Sequence, residues 1–129
     1  MLIRRRFTVK KRERARTLVE NRLSYFNKIY GFKINRIAIK NTSTRWGSCS
    51  SLKNLNFNYK IIYLSSELAD YLIVHELCHL KEFNHSKKFW ELVGKAVPNY
   101  VKLNKELKKI PTKGKILKNN RVLLQGFKK

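Results

Sequence analysis

One buried helix limits what this chain can fold into. Ser65 and Ser66 offer an N-cap, and Glu67 and Asp70 follow in the first turns, where acidic groups complement the helix dipole. The pattern predicts a helix from there to about Glu82. Its middle, Tyr71-Leu72-Ile73-Val74, is strongly apolar, so the helix should be buried. Yet the next five residues are His75-Glu76-Leu77-Cys78-His79. Burying two imidazoles and a carboxylate without partners is costly, so a purpose for them is expected.

At about 100° per residue, His75 and His79 lie about 40° apart, one turn from each other on one face. That spacing lets two imidazole nitrogens meet one zinc ion at about 2.0–2.1 Å. Glu76 and Cys78 each lie about 80° from the mean direction of the two histidines, on opposite sides. The longer Glu76 carboxylate can reach a water held at the metal, whereas Cys78 is expected to pack in the core. The third of the three histidines, His85, follows six residues after His79, across a helix end and turn at Lys81-Glu82-Phe83-Asn84. It is the expected third ligand, with Glu91 on the next helix as the rival. Glu91 is otherwise an acceptor for a ligand histidine's N–H or a surface charge. Three neutral histidines leave the fourth tetrahedral position to water, as catalytic sites do. Zinc lowers the pKa of such a water, and Glu76 would take its proton and return it to a leaving amine. One zinc ion is expected, because a histidine set favours it over manganese or iron.

The rest of the chain reads as a frame for that helix. Thr8 to Tyr30 is predicted helical, with Ala15, Leu18, Val19, Arg22, Phe26, Ile29 and Tyr30 at helical spacings and Gly31 at the C-terminal position. Ile34–Lys40 and a run from Leu55 to Ile61 alternate as strands, the second with a polar face of Asn56, Asn58 and Lys60. Asn41–Lys53 reads as a loop, Ser86 to Pro98 and Tyr100–Lys109 as further helices, and 110–129 as a basic tail. Phe89 and Trp90 read as core residues. The order of elements gives α+β, a small sheet with helices on one side. One domain spanning 1–129 is expected from 129 residues.

Thirty Lys and Arg against eight Asp and Glu give a net charge of +22. Such a surface attracts polyanions, so non-specific nucleic-acid contact is admitted. Lysines are scattered rather than striped, however, and Arg4-Arg5-Arg6 and Lys10-Lys11-Arg12 read first as a solvated face. No run approaches the ~18 apolar residues of a membrane span, and no secretory leader is visible, so a cytoplasmic monomer is expected. Cys49 and Cys78 make no disulfide framework and are expected to be free thiols.

Several blocks together resemble a known family. Thr44-Arg45-Trp46-Gly47-Ser48-Cys49-Ser50, Asn54-Leu55-Asn56-Phe57-Asn58, His75-Glu76-Leu77-Cys78-His79-Leu80, Asn84-His85-Ser86 and Phe89-Trp90 look like the YgjP-like zinc metallopeptidases. The SprT-like proteases that act on DNA-bound proteins are more distantly similar. The resemblance runs from about Lys10 to Lys109, the catalytic core (about 10–109) that it implies. It implies a zincin-like fold, a mixed sheet beside the HExxH helix, with His75, His79 and His85 on zinc and Glu76 as general acid/base. It departs from the family in lacking an N-terminal β-rich region and the prolines common in the loop at 63–69.

Arg45, Trp46 and Gly47, with Asn56 and Asn58, are candidate substrate-binding residues at the rim of a cleft. An extended peptide could pair with the strand that starts near Leu55. The alternative reading makes Trp46 and Cys49 core and Arg45 a surface charge. Tyr59, Tyr63 and Tyr71 are equal candidates for an oxyanion donor. The expected activity is zinc-dependent peptide hydrolysis on a peptide or protein substrate. The alternatives are a SprT-like protease working on DNA-held proteins and a non-catalytic basic module stapled by zinc.

Overall fold

In the computed structural model, residues 7–113 are described, together with the short strands at 116–117 and 121–122. The order is α1 (Val9–Tyr30), β1 (Arg36–Lys40), β2 (Gly47–Cys49), β3 (Asn54–Asn58), a 3-10 segment (Tyr59–Tyr63), α2 (Ser66–Cys78), α3 (Lys87–Ala96) and α4 (Tyr100–Lys108). Two strands follow, β4 (Ile116–Leu117) and β5 (Arg121–Val122), paired antiparallel. Arg4-Arg5-Arg6 and most of the expected basic tail lie outside the described residues. No helix among the described residues is long and apolar enough to cross a membrane.

Local chemistry sets the ends of α1. The Thr8 side chain accepts from the Lys11 amide at 3.1 Å, and Gly31, at φ 70°, closes the helix with its N–H on Asn27 O. Asn27 then both accepts from the Phe32 amide and donates to the Phe32 carbonyl, fixing the exit toward β1. Ala15, Val19, Leu23 and Phe26 form the buried stripe of α1.

The sheet is small and mixed, in the order β1-β3-β2, with β1 parallel and β2 antiparallel to the central β3. Leu55 and Phe57 of β3 are buried toward the helices, which gather on that face. Two expectations change here. The predicted loop at 41–53 contains β2, an edge strand of weak β-formers that exists because β3 offers it a ladder. A peptide could therefore not pair with β3, which is flanked on both sides; of the two edge strands, β1 and β2, it is β2 that carries Gly47 of the cavity described below. The second predicted strand also stops at Asn58 instead of reaching Ile61. The Asn58 side chain accepts from the Lys60 amide and starts the 3-10 segment, which buries Tyr59, Ile61 and Tyr63.

Helix α2 is the centre of the molecule, touching α1, α3, α4 and β2. The Ser65 side chain caps it by accepting from the Leu68 amide. It ends at Cys78 rather than near Glu82, because the amides of His79, Leu80 and Lys81 bond three residues back and tighten the last turn. A bidentate pair from Arg22 to Asp70, at 2.9 and 3.0 Å, ties α1 to α2, so Arg22 serves as a clamp on the helix face predicted to be apolar.

After α4 the chain straps the loop before β2. Ile110 O accepts from the Trp46 indole at 3.1 Å, Thr112 donates to Ser43 O, and Lys60 reaches Thr112 O. Cys49 and Cys78 are free thiols.

Candidate metal centre and active site

Three histidines from three different local settings meet at one point. His75 is in the last full turn of α2, His79 is its C-cap, and His85 stands just before Ser86, whose side chain caps α3. The Nε2 atoms of His79 and His85 are 3.0 Å apart, and those of His85 and His75 are 3.2 Å apart. Among the described residues these three form a cluster that could hold a metal ion, one ring nitrogen from each lying within 4.8 Å of the others. Tetrahedral bonds to a zinc ion at about 2.0–2.1 Å would set nitrogens about 3.3–3.4 Å apart, so the set fits that ion closely.

The outer ring nitrogens show which tautomer faces inward. Nδ1 of His79 lies 3.0 Å from the carbonyl of Glu82, which can only accept, so that nitrogen carries the proton. Nδ1 of His75 lies 3.1 Å from the Tyr71 hydroxyl, which donates its own proton to Asn104 Oδ1 at 2.9 Å. His75 therefore donates to Tyr71. In both rings Nε2 is left with its lone pair toward the shared point. Burial, then the neighbouring His79, His85 and Lys108, pushes the His75 pKa down to about 3, so its ring is neutral. Burial likewise lowers that of His79.

Aromatic packing fixes the ring planes. Phe89 stacks on His79 at 4.3 Å, and Trp90 stacks between His85 at 5.7 Å and Tyr100 at 5.2 Å. Phe89 is core as expected, but Trp90 is half-buried and helps line the cavity over the three histidines.

Glu76 is 5% exposed and lines that cavity of about 450 Å³ together with Trp46, Gly47, His75, His85 and Trp90. Its Oε1 has no hydrogen-bond partner among the described residues. Burial pushes its pKa up to about 8, against the charge of Arg45, which pulls it down, and a cation at the three imidazoles would pull it down further toward the ionised carboxylate. A buried, unpartnered carboxylate oxygen beside three converging imidazoles fits a cation and its water. Gly47 makes the room: a Cβ there would lie 3.1 Å from Glu76 Cγ and Oε2 and 3.0 Å from the Asn56 carbonyl. The glycine is required by this close approach, not by its backbone angles.

The other expected residues are distributed as follows. Trp46 lines the same cavity with its indole N–H tied to Ile110 O. Arg45, Asn56 and Asn58 line a second cavity that shares Gly47 with the first. The Asn58 amide is spent on the chain itself, donating to Thr42 O and Arg45 O. Tyr71 is engaged with His75 and Asn104, while Tyr59 and Tyr63 pack as a pair in the core and do not line the cavity. Glu91 is exposed and outside the cluster. Cys78 is fully buried, and burial lifts its thiol, like that of Cys49, to about 11. Neither joins the cluster. Asn104 was not anticipated; its only signal is a polar side chain one residue from Leu103 on the buried side of α4.

Fold and site together define a small α+β domain in which three converging imidazoles that could hold a metal ion stand beside a buried carboxylate. The pattern of the YgjP-like family, metallopeptidase domain, matches residues 2–110, and the chain belongs to that metallopeptidase family. No curated protein matches. Among solved structures, the fold is similar to the metallopeptidase zymogen abylysin of Pyrococcus abyssi, with a TM-score of 0.63 at 24% identity. That match covers 69% of this chain and 90% of abylysin. The metallopeptidase zymogen jannalysin of Methanocaldococcus jannaschii is similar at a TM-score of 0.60 and 24% identity, covering 70% of this chain and 94% of jannalysin.

Proposed function

We propose that this metallopeptidase is zinc-dependent and cleaves internal peptide bonds, with His75, His79 and His85 as the metal ligands and Glu76 as general acid/base. The observation that carries this reading is the convergence of three Nε2 atoms beside the unpartnered Oε1 of Glu76. A zinc ion held there supplies Lewis acidity that brings the pKa of water near neutrality.

The chain's own groups do the remaining work. Glu76, with Oε1 free and its position pinned by Gly47, takes a proton from the attacking water and passes it to the amide nitrogen as the C–N bond breaks. Tyr71 and the Glu82 carbonyl hold His75 and His79 in the tautomer that presents Nε2. The substrate is a peptide in an extended conformation, since the free edge of β2 borders Gly47 and so the cavity. Neither basicity nor any described contact favours a role on DNA-held proteins over general peptide cleavage.

The test is cleavage of an unstructured protein such as casein before chelation, after chelation and after adding back one equivalent of zinc. Activity should vanish with the metal and return with it. Zinc binding at one ion per chain without cleavage of any unstructured substrate would instead support a zinc-stapled module.

A further inference from the structure

Beyond Gly47 lies a second cavity of about 350 Å³, lined by Lys40, Thr42, Arg45, Ser48, Asn56 and Asn58 among others. The chain has eight acidic residues, and none of them lines it. Lys40 and Arg45 are exposed and take part in no ion pair among the described residues. Both cations are therefore available to an anion that enters.

The cavity is built rather than incidental. Asn58, 1% exposed, donates to Thr42 O at 2.8 Å and to Arg45 O at 3.0 Å, so one buried amide fixes the loop that carries the cation. The Asn58 backbone N–H donates to Trp46 O at 2.8 Å, and the Thr112 hydroxyl donates to Ser43 O from the other side. On the floor, Asn56 Nδ2 donates to Ser48 Oγ at 3.2 Å. Gly47 is the shared wall, with Glu76 against its other side. A peptide lying along the edge of β2 would place a side chain here while its scissile bond faces Glu76.

We propose that this cavity is a carboxylate subsite, in which Arg45 and Lys40 select substrates carrying Asp or Glu close to the cleaved bond. This rests on the peptidase reading above and adds the substrate class to it. Arg45 supplies a planar fork suited to a carboxylate, and Lys40 a second point charge. Charged hydrogen bonds of this kind correspond to about a tenfold preference or more over the neutral amide isostere.

The experiment compares matched quenched-fluorescent peptides that differ only as Asp or Glu against Asn or Gln near the cleaved bond, each with free and amidated C-termini. Wild type should show a kcat/KM about tenfold higher for the acidic peptides, and Lys40→Ala with Arg45→Ala should erase that ratio. Lys28→Ala with Lys33→Ala removes the same charge from a remote surface and should keep it. A gain that follows the free C-terminus rather than the side chain would assign the same carboxylate chemistry to the chain end. Equal rates for acidic and neutral peptides, or equal loss of preference in the remote double variant, would overturn the proposal. If no peptide is cleaved, the peptidase reading fails separately. The subsite is then judged by anisotropy of the same labelled peptides on the zinc-loaded protein: acidic preference dependent on Arg45 and Lys40 supports it, and its absence overturns it.

Discussion

The Tyr71 hydroxyl stands 3.1 Å from Nδ1 of His75 and donates a hydrogen bond to Asn104 Oδ1 at 2.9 Å. Because Tyr71 and His75 are one turn apart on α2, the helix carries both a proposed ligand and the group that orients it. Asn104 comes from α4, so the orientation of His75 depends on how α4 docks.

Tyr71→Phe should leave the fold intact and weaken zinc binding by about 10- to 100-fold, the usual effect of losing a ligand's outer partner. Asn104→Leu should do the same to a smaller degree. Competition with a chromophoric chelator measures both. Unchanged zinc affinity in Tyr71→Phe would show that packing alone holds the ring.

Gly47→Ala places a methyl group 3.0–3.1 Å from the Asn56 carbonyl and Glu76. The carbonyl belongs to central β3 and cannot yield, so the Glu76 side chain or β2 must shift. A stability loss of about 1–3 kcal/mol is expected by denaturant titration, with a much larger fractional loss of peptidase activity. Retention of both would mean that the cleft is more plastic than this contact allows.

Asn58→Ala removes donors from two carbonyls, Thr42 O and Arg45 O, at a position that is almost completely buried. Urea unfolding should show a loss of about 2–3 kcal/mol. The Arg22–Asp70 pair is about a third exposed on the arginine side, so Asp70→Asn should cost less, about 1 kcal/mol or under. The reverse ranking would contradict the structure.

In the proposed reading zinc needs the folded arrangement of His75, His79 and His85, so its removal should lower thermal stability. At a zinc concentration about a thousandfold above Kd, the difference is about 4 kcal/mol. Hydrogen exchange should localise the loss to the end of α2 and the turn at 79–86. A melting temperature indifferent to chelation would argue against a bound metal in the folded protein.

Much of this architecture was legible in the residues, because its strongest signals are local. The caps of α1 and α2, the apolar run before His75, and the one-turn spacing of His75 and His79 can each be read without a partner. The misreadings arise where a distant group decides. Gly47–Cys49 forms a strand only because β3 lies beside it, and alternation through Ile61 is cut short by the Asn58 side chain. The early end of α2 follows from the return path that brings His85 back to His79. The tie between Tyr71 and Asn104 joins residues 33 apart and has no local signature.

The most direct measurement compares wild type with Glu76→Gln at equal zinc content in the casein assay. The variant should keep its zinc and lose about 10²–10⁴-fold in rate, because the amide cannot carry the proton from water to the leaving nitrogen. Cleavage at the wild-type rate by the zinc-loaded variant would contradict the assignment of Glu76 and, with it, the proposed reaction.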